Sequence, residues 1–146
     1  MPDAVNNPAK APVYVLDSYA LLAFFEDEPG SRRVKELLES AASRKSRLFL
    51  CSINLGEILY IVERERGLAK AQVTLARINE LAIEITPADL DLVKSAAHLK
   101  ANNPIAYADC FAAALSRLKN AALLTGDPEF EGLETGAEIQ IEWLDK

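Results

Sequence analysis

Apolar residues recur along this chain in two rhythms. Short unbroken runs, Val13-Tyr14-Val15-Leu16, Leu48-Phe49-Leu50-Cys51, Ile83-Glu84-Ile85 and Ala122-Leu123-Leu124, read as buried strands. Ile139-Gln140-Ile141 offers a fifth. Between them apolar positions return at helical spacing over 19–26, from Ser31 to about Ser43, over 52–66 and 68–81, from Pro87 to about Lys100, and over 105–119. The punctuation agrees with this reading. Asp17-Ser18 and Ser52 suit helix caps, Gly67 separates two helices, Pro87 suits a first helical position and Asn102-Asn103-Pro104 stops a helix. Buried strands alternating with helices predict an α/β fold, with a parallel sheet of four to five strands covered on both faces. Residues 1–12, with three prolines and Asn6-Asn7, read as a loose leader, and 13–146 as a single domain.

Composition narrows the class. A chain of 146 residues, half of them hydrophobic and 26% charged, is a globular domain rather than a disordered one. Its length lets it bury roughly 70% of its unfolded surface without a disulfide or metal scaffold. Cys51 and Cys110 sit in apolar surroundings, as free thiols do. The N-terminus has neither the basic start nor the apolar stretch of a signal peptide, and no run is long enough for a membrane span. Together these predict a cytoplasmic protein with no membrane partner. The net charge of −6 is carried by residues 121–146, where seven acids face Lys146. Residues 31–47 are locally basic, and Arg32, Arg33, Lys45 and Arg47 are candidate contacts for a polyanion.

Four acids stand where acids are awkward. Asp17 directly follows the first strand, and Asp127 follows the fourth in Leu-Leu-Thr-Gly-Asp-Pro. Ligands of parallel sheets bind beyond those carboxyl ends. As a cap and a turn former, each also has an ordinary explanation. Glu57 interrupts an apolar stripe running from Ile53 to Ile61. Asp109 is the one charged residue between Pro104 and Arg117. An unpaired buried carboxylate costs several kcal/mol, so Asp109 needs an arginine partner, hydrogen-bond donors, water or a shared cation. If both helices start at the sheet edge where Asp17 and Asp127 sit, all four acids converge and repel. A divalent ion relieves that repulsion, and oxygen-only ligands favour Mg²⁺ or Mn²⁺ over zinc. Such a site suits phosphodiester hydrolysis. His98, the single histidine, reads as a packed or half-exposed helix residue, and no nucleophile elbow or phosphate-binding loop occurs. Tyr19, Phe24, Phe25 and Phe49 read as core. Trp143 reads as packing a terminal segment or a subunit contact.

In order and spacing, Val-Leu-Asp17-Ser18, Ser-Ile-Asn54-Leu-Gly-Glu57-Ile, Tyr-Ala-Asp109-Cys-Phe-Ala-Ala-Ala-Leu and Leu-Leu-Thr125-Gly-Asp127-Pro-Glu-Phe resemble the PIN-domain nucleases. Among these the chain is most similar to the VapC-type toxins of toxin–antitoxin pairs. The resemblance spans about residues 13–141. It implies a three-layer α/β/α sandwich and a Mg²⁺- or Mn²⁺-dependent endoribonuclease, with Asp17, Glu57, Asp109 and Asp127 as the catalytic, metal-holding acids. It further implies that Ser18, Asn54 and Thr125 orient those acids by hydrogen bonds. The implied partners are an RNA substrate, a cognate antitoxin and a second copy in a homodimer. Two other readings share the fold: a housekeeping RNA-processing nuclease, and a non-catalytic interaction module whose acids are structural.

Overall fold

The computed structural model describes residues 11–136 and 139–144. The chain forms β1 (Val13–Leu16), α1 (Ser18–Phe25), α2 (Ser31–Ala42), β2 (Arg47–Cys51), α3 (Ser52–Arg66), α4 (Leu68–Glu80) and β3 (Glu84–Thr86). It continues with α5 (Leu90–Asn102), α6 (Tyr107–Leu118), β4 (Ala122–Thr125), a 3-10 turn (Pro128–Phe130), α7 (Glu131–Gly136) and β5 (Ile141–Trp143). The five strands are all parallel, in the order β3-β2-β1-β4-β5. Val15 pairs with Phe49 on one side and Leu123 on the other, so β1 lies at the centre of the sheet.

Strand side chains alternate between faces, and the two cores follow from that alternation. Val15, Phe49, Cys51 and Leu123 point to one face, under Leu92, Ala96 and Leu99 of α5 and Phe111 and Leu115 of α6, with Phe130 and Leu133 beside them. Leu16, Leu48, Leu50 and Leu124 point to the other, under Leu21 of α1, Leu37 of α2, Ile58 of α3 and Ile78 of α4. The result is the expected α/β/α sandwich. Cys51 and Cys110 are buried free thiols. Among the described residues no helix is long and apolar enough to cross a membrane.

Several expectations need correction. The helix after β3 begins at Leu90 rather than Pro87, because Asp89 takes the cap: its carboxylate accepts the Leu92 amide at 2.9 Å. The last strand lies at 141–143, two residues later than expected, although Gln140 already accepts a bond from the Leu123 amide. α7 was not foreseen, since Glu131–Gly136 offers Leu133 alone as an apolar anchor. The buried stripe of α3 runs through Asn54, Ile58 and Val62, and Ile53 is exposed, so Glu57 flanks the stripe instead of interrupting it. Tyr19 is not core: it is 36% exposed. Trp143 closes the terminal segment, its indole Nε1 donating to Glu134 at 3.2 Å. Most of the expected leader lies outside the described residues, and Pro12 at its end accepts the Arg47 amide at 2.9 Å.

The order of the strands matters for function. The chain builds outward from β1 to β2 and β3, then returns to the centre and builds outward again through β4 and β5. β1 and β4 are therefore neighbours whose following segments diverge to opposite faces, which opens a crevice at their carboxyl ends.

Candidate metal centre

Asp17 is the first residue beyond β1 and caps α1, its Oδ1 accepting the Ala20 amide at 2.9 Å. Its Oδ2 accepts the hydroxyl of Thr125, the last residue of β4. That hydroxyl also accepts the Asp127 amide at 3.0 Å. Thr125 thus ties the turn carrying Asp127 to the turn carrying Asp17, across the central pair of strands. Asp127 in turn caps the 3-10 turn, accepting the Glu129 amide at 3.0 Å.

Two helices bring the remaining groups. α3 starts directly after β2, so Glu57 in its second turn stays near the same edge, where the Ser18 hydroxyl donates to Glu57 Oε1 at 2.5 Å. Asp109 lies in the first turn of α6. The link between these helices is Asn54: fully buried, it donates through Nδ2 to the Ala108 carbonyl at 3.1 Å. Its Oδ1 is buried without a partner. Neither α3 nor α6 has a side-chain hydrogen bond from its N-cap residue.

Carboxylate oxygens of Asp109, Asp127 and Glu129 lie within 4.8 Å of one another. Asp109 is only 6% exposed. Burial pushes its carboxyl up to about 7, and the charges of Asp127, Glu57 and Glu129 push the same way. Asp17, 2% exposed, is likewise raised to about 7 by burial, with Asp109 and Asp127 adding repulsion against the lowering influence of the Thr125 hydroxyl and the Ala20 amide. Among the described residues Asp109 has neither an ion pair nor a hydrogen-bond donor, which removes the arginine-partner explanation for it. An all-oxygen set of acids this close, two of them raised chiefly by burial, fits a hard divalent cation.

The four expected acids lie near enough to act on one another's charge, though they differ in place. Asp109 and Asp127 belong to the tight cluster, Asp17 stands behind Thr125, and Glu57 is held by Ser18. Glu129 was not foreseen. An exposed glutamate after Gly-Asp-Pro looks like any turn acid, and only the 3-10 turn folds it back towards Asp109. The basic candidates fare differently. Arg33 is bound through both Nε (2.7 Å) and Nη2 (2.9 Å) to Glu142, and Arg47 similarly to Glu84 at 3.0 Å. Arg47 also opens β2, and so lies at the amino end of the sheet, opposite the acids.

Residues 14–135 match the PIN domain family. No curated protein sequence matches the chain. Among solved structures, the chain is similar to VapBC2 from Rickettsia felis, bound to a fragment of its promoter DNA, with a TM-score of 0.71 and 19% identity over 91% of this chain and 99% of that one. VapBC-1 from nontypeable Haemophilus influenzae gives 0.66 and 19%, over 90% and 97%. VapC20 from Mycobacterium tuberculosis, a sarcin–ricin loop cleaving toxin, gives 0.65 and 16%, over 82% and 93%. At these identities the likeness is one of fold.

Proposed function

The chain belongs to the PIN-domain family, and from that membership we propose that it is a metal-dependent endoribonuclease acting as the toxin of a toxin–antitoxin pair. The observation that carries this reading is the meeting of Asp109, Asp127 and Glu129 within 4.8 Å at the crevice where the sheet reverses its order. Asp109, Asp127 and Glu129, with Asp17 and Glu57 beside them, would hold Mg²⁺ or Mn²⁺. Such an ion, when bound, lowers the pKa of water and steadies negative charge on the transferring phosphoryl group. The chain's own parts orient these acids. Thr125 fixes Asp17 and the Asp127 backbone, Ser18 fixes Glu57, and Asn54 fixes the turn that carries Asp109.

The toxin reading draws on the solved neighbours: the Rickettsia and Haemophilus structures are VapBC assemblies, and the Mycobacterium protein cleaves the sarcin–ricin loop. It brings with it a cytoplasmic setting, a cognate antitoxin and a homodimer. A housekeeping processing nuclease shares the chemistry but needs no antitoxin. Growth arrest on expression, relieved by a co-expressed neighbouring gene product, separates the two.

The test is cleavage of single-stranded RNA by the purified protein in Mn²⁺. Asp109→Asn is expected to lower turnover by about 10³-fold or more while leaving the thermal midpoint unchanged or higher. A folded Asp109→Asn protein with wild-type turnover would refute the assignment.

A further inference from the structure

Tyr19 follows Asp17 and Ser18 in the first turn of α1, and its ring lies along the backbone of Gly126, the residue between Thr125 and Asp127. A methyl group placed on Gly126 would stand 2.4 Å from Tyr19 Cε1, 2.8 Å from Cζ and 3.1 Å from Oη. The φ of Gly126 lies outside the left-handed region, so it is the ring, and not the backbone conformation, that demands glycine there. The ring is thus seated between the two turns that carry Asp17 and Asp127. Yet Tyr19 remains 36% exposed. About a third of the side chain is thus left open beside the acids while the backbone of Gly126 lies against the ring. A ring so seated offers π-surface next to the two turns.

Resting on the ribonuclease reading above, the geometry points to Tyr19 as the platform on which a nucleobase next to the reacting phosphate stacks. Bases inside an A-form duplex have both faces covered by their neighbours. A base that is unpaired can be turned out onto an aromatic side chain. Because every base has a π-face, this contact selects strandedness without selecting sequence.

The experiment compares wild type, Tyr19→Phe, Tyr19→Leu and Gly126→Ala on a short single-stranded RNA and on the same strand in a full duplex, in Mn²⁺. In parallel, the single strand carries one 2-aminopurine at successive positions and is bound in Ca²⁺, where stacking quenches its fluorescence. Tyr19→Leu is expected to raise KM about 10-fold or more with kcat little changed, and to lose quenching at the position beside the cut. Tyr19→Phe keeps both, because it keeps the ring. Gly126→Ala behaves like Tyr19→Leu, because its methyl group displaces the ring. A purely structural role would lower the thermal midpoint and leave the quenching in place. A wild-type KM in folded Tyr19→Leu, or duplex cut as readily as single strand, overturns the stacking role and leaves the nuclease standing. A wild type that cuts neither RNA overturns the ribonuclease reading and the stacking role with it. If Tyr19→Leu folds poorly, quenching that survives in Gly126→Ala overturns the proposal, and quenching lost there supports it.

Discussion

Asp17 shows how one side chain serves the fold and the crevice at once. One oxygen caps α1, the other receives the Thr125 hydroxyl, and burial holds its carboxyl near pH 7 instead of the ordinary 3.8. The sign of the consequence follows from linkage. A carboxyl whose folded pKa is raised favours the folded state fully below the unfolded value, and that favour is lost as pH rises towards the folded value. Metal-free protein therefore loses this contribution between about pH 4 and pH 7. Asp17→Asn, which keeps a capping oxygen and cannot ionise, should gain stability relative to wild type across that window, by a few kcal/mol at pH 8. Urea melts at pH 4.5 and pH 8 check this, and an equal difference at both pH values would contradict it. Saturating Mn²⁺ should flatten the wild-type dependence. Asp109 was the most legible acid, because a lone charge in an apolar helix has to be answered by something. Glu129 was the least legible: exposed, next to proline and among seven acids, nothing local distinguishes it.

At the scale of elements, the strands and most helices could be read because burial on two faces leaves unbroken apolar runs and helical stripes. The start of α5 could not, for a definite reason. Pro87 and Asp89 are both good starters, and the choice fell to the residue whose carboxylate reaches the Leu92 amide. The linkage of α3 to α6 was equally hidden, since pairing Asn54 with the Ala108 carbonyl is a matter of tertiary packing. That single bond positions the turn bearing Asp109. Asn54→Ala is expected to weaken Mn²⁺ binding roughly tenfold or more by letting that turn drift, and to cost about 0.5–1.5 kcal/mol by removing one buried hydrogen bond to a carbonyl that keeps its helical partner. Calorimetric titration with Mn²⁺ beside a thermal melt measures both. Undiminished affinity would show that α6 is held in place by packing alone. The basic residues of 31–47 make the opposite point. Their positive charge was visible in sequence, but Arg33 and Arg47 are each bound to a glutamate brought from a distant strand.

At the scale of the whole molecule, one sheet serves two cores. Leu123 and Leu124 are adjacent and both fully buried, yet they belong to opposite faces. Truncating either to alanine should cost about 2–5 kcal/mol. Because the strands are common to both cores, each variant should still unfold in a single transition, with near- and far-ultraviolet circular dichroism changing together. Separate transitions in either variant would mean that the faces melt independently.

The central place of β1 also has a consequence in time. On the ribosome β1, β2 and β3 emerge first, and β1 must wait with one edge unpaired until β4 is made more than a hundred residues after it. A bare, apolar Val-Tyr-Val-Leu edge is an invitation to the wrong partner. During that wait Asp17 has neither Thr125 nor Asp127 opposite it. A partial chain is therefore sticky but chemically blank, and the crevice comes into being only when the last third of the chain closes the sheet. Fragments cut anywhere between Glu57 and Asp109 should each be inert, and activity restored by mixing two of them would report the pairing of β1 with β4 directly.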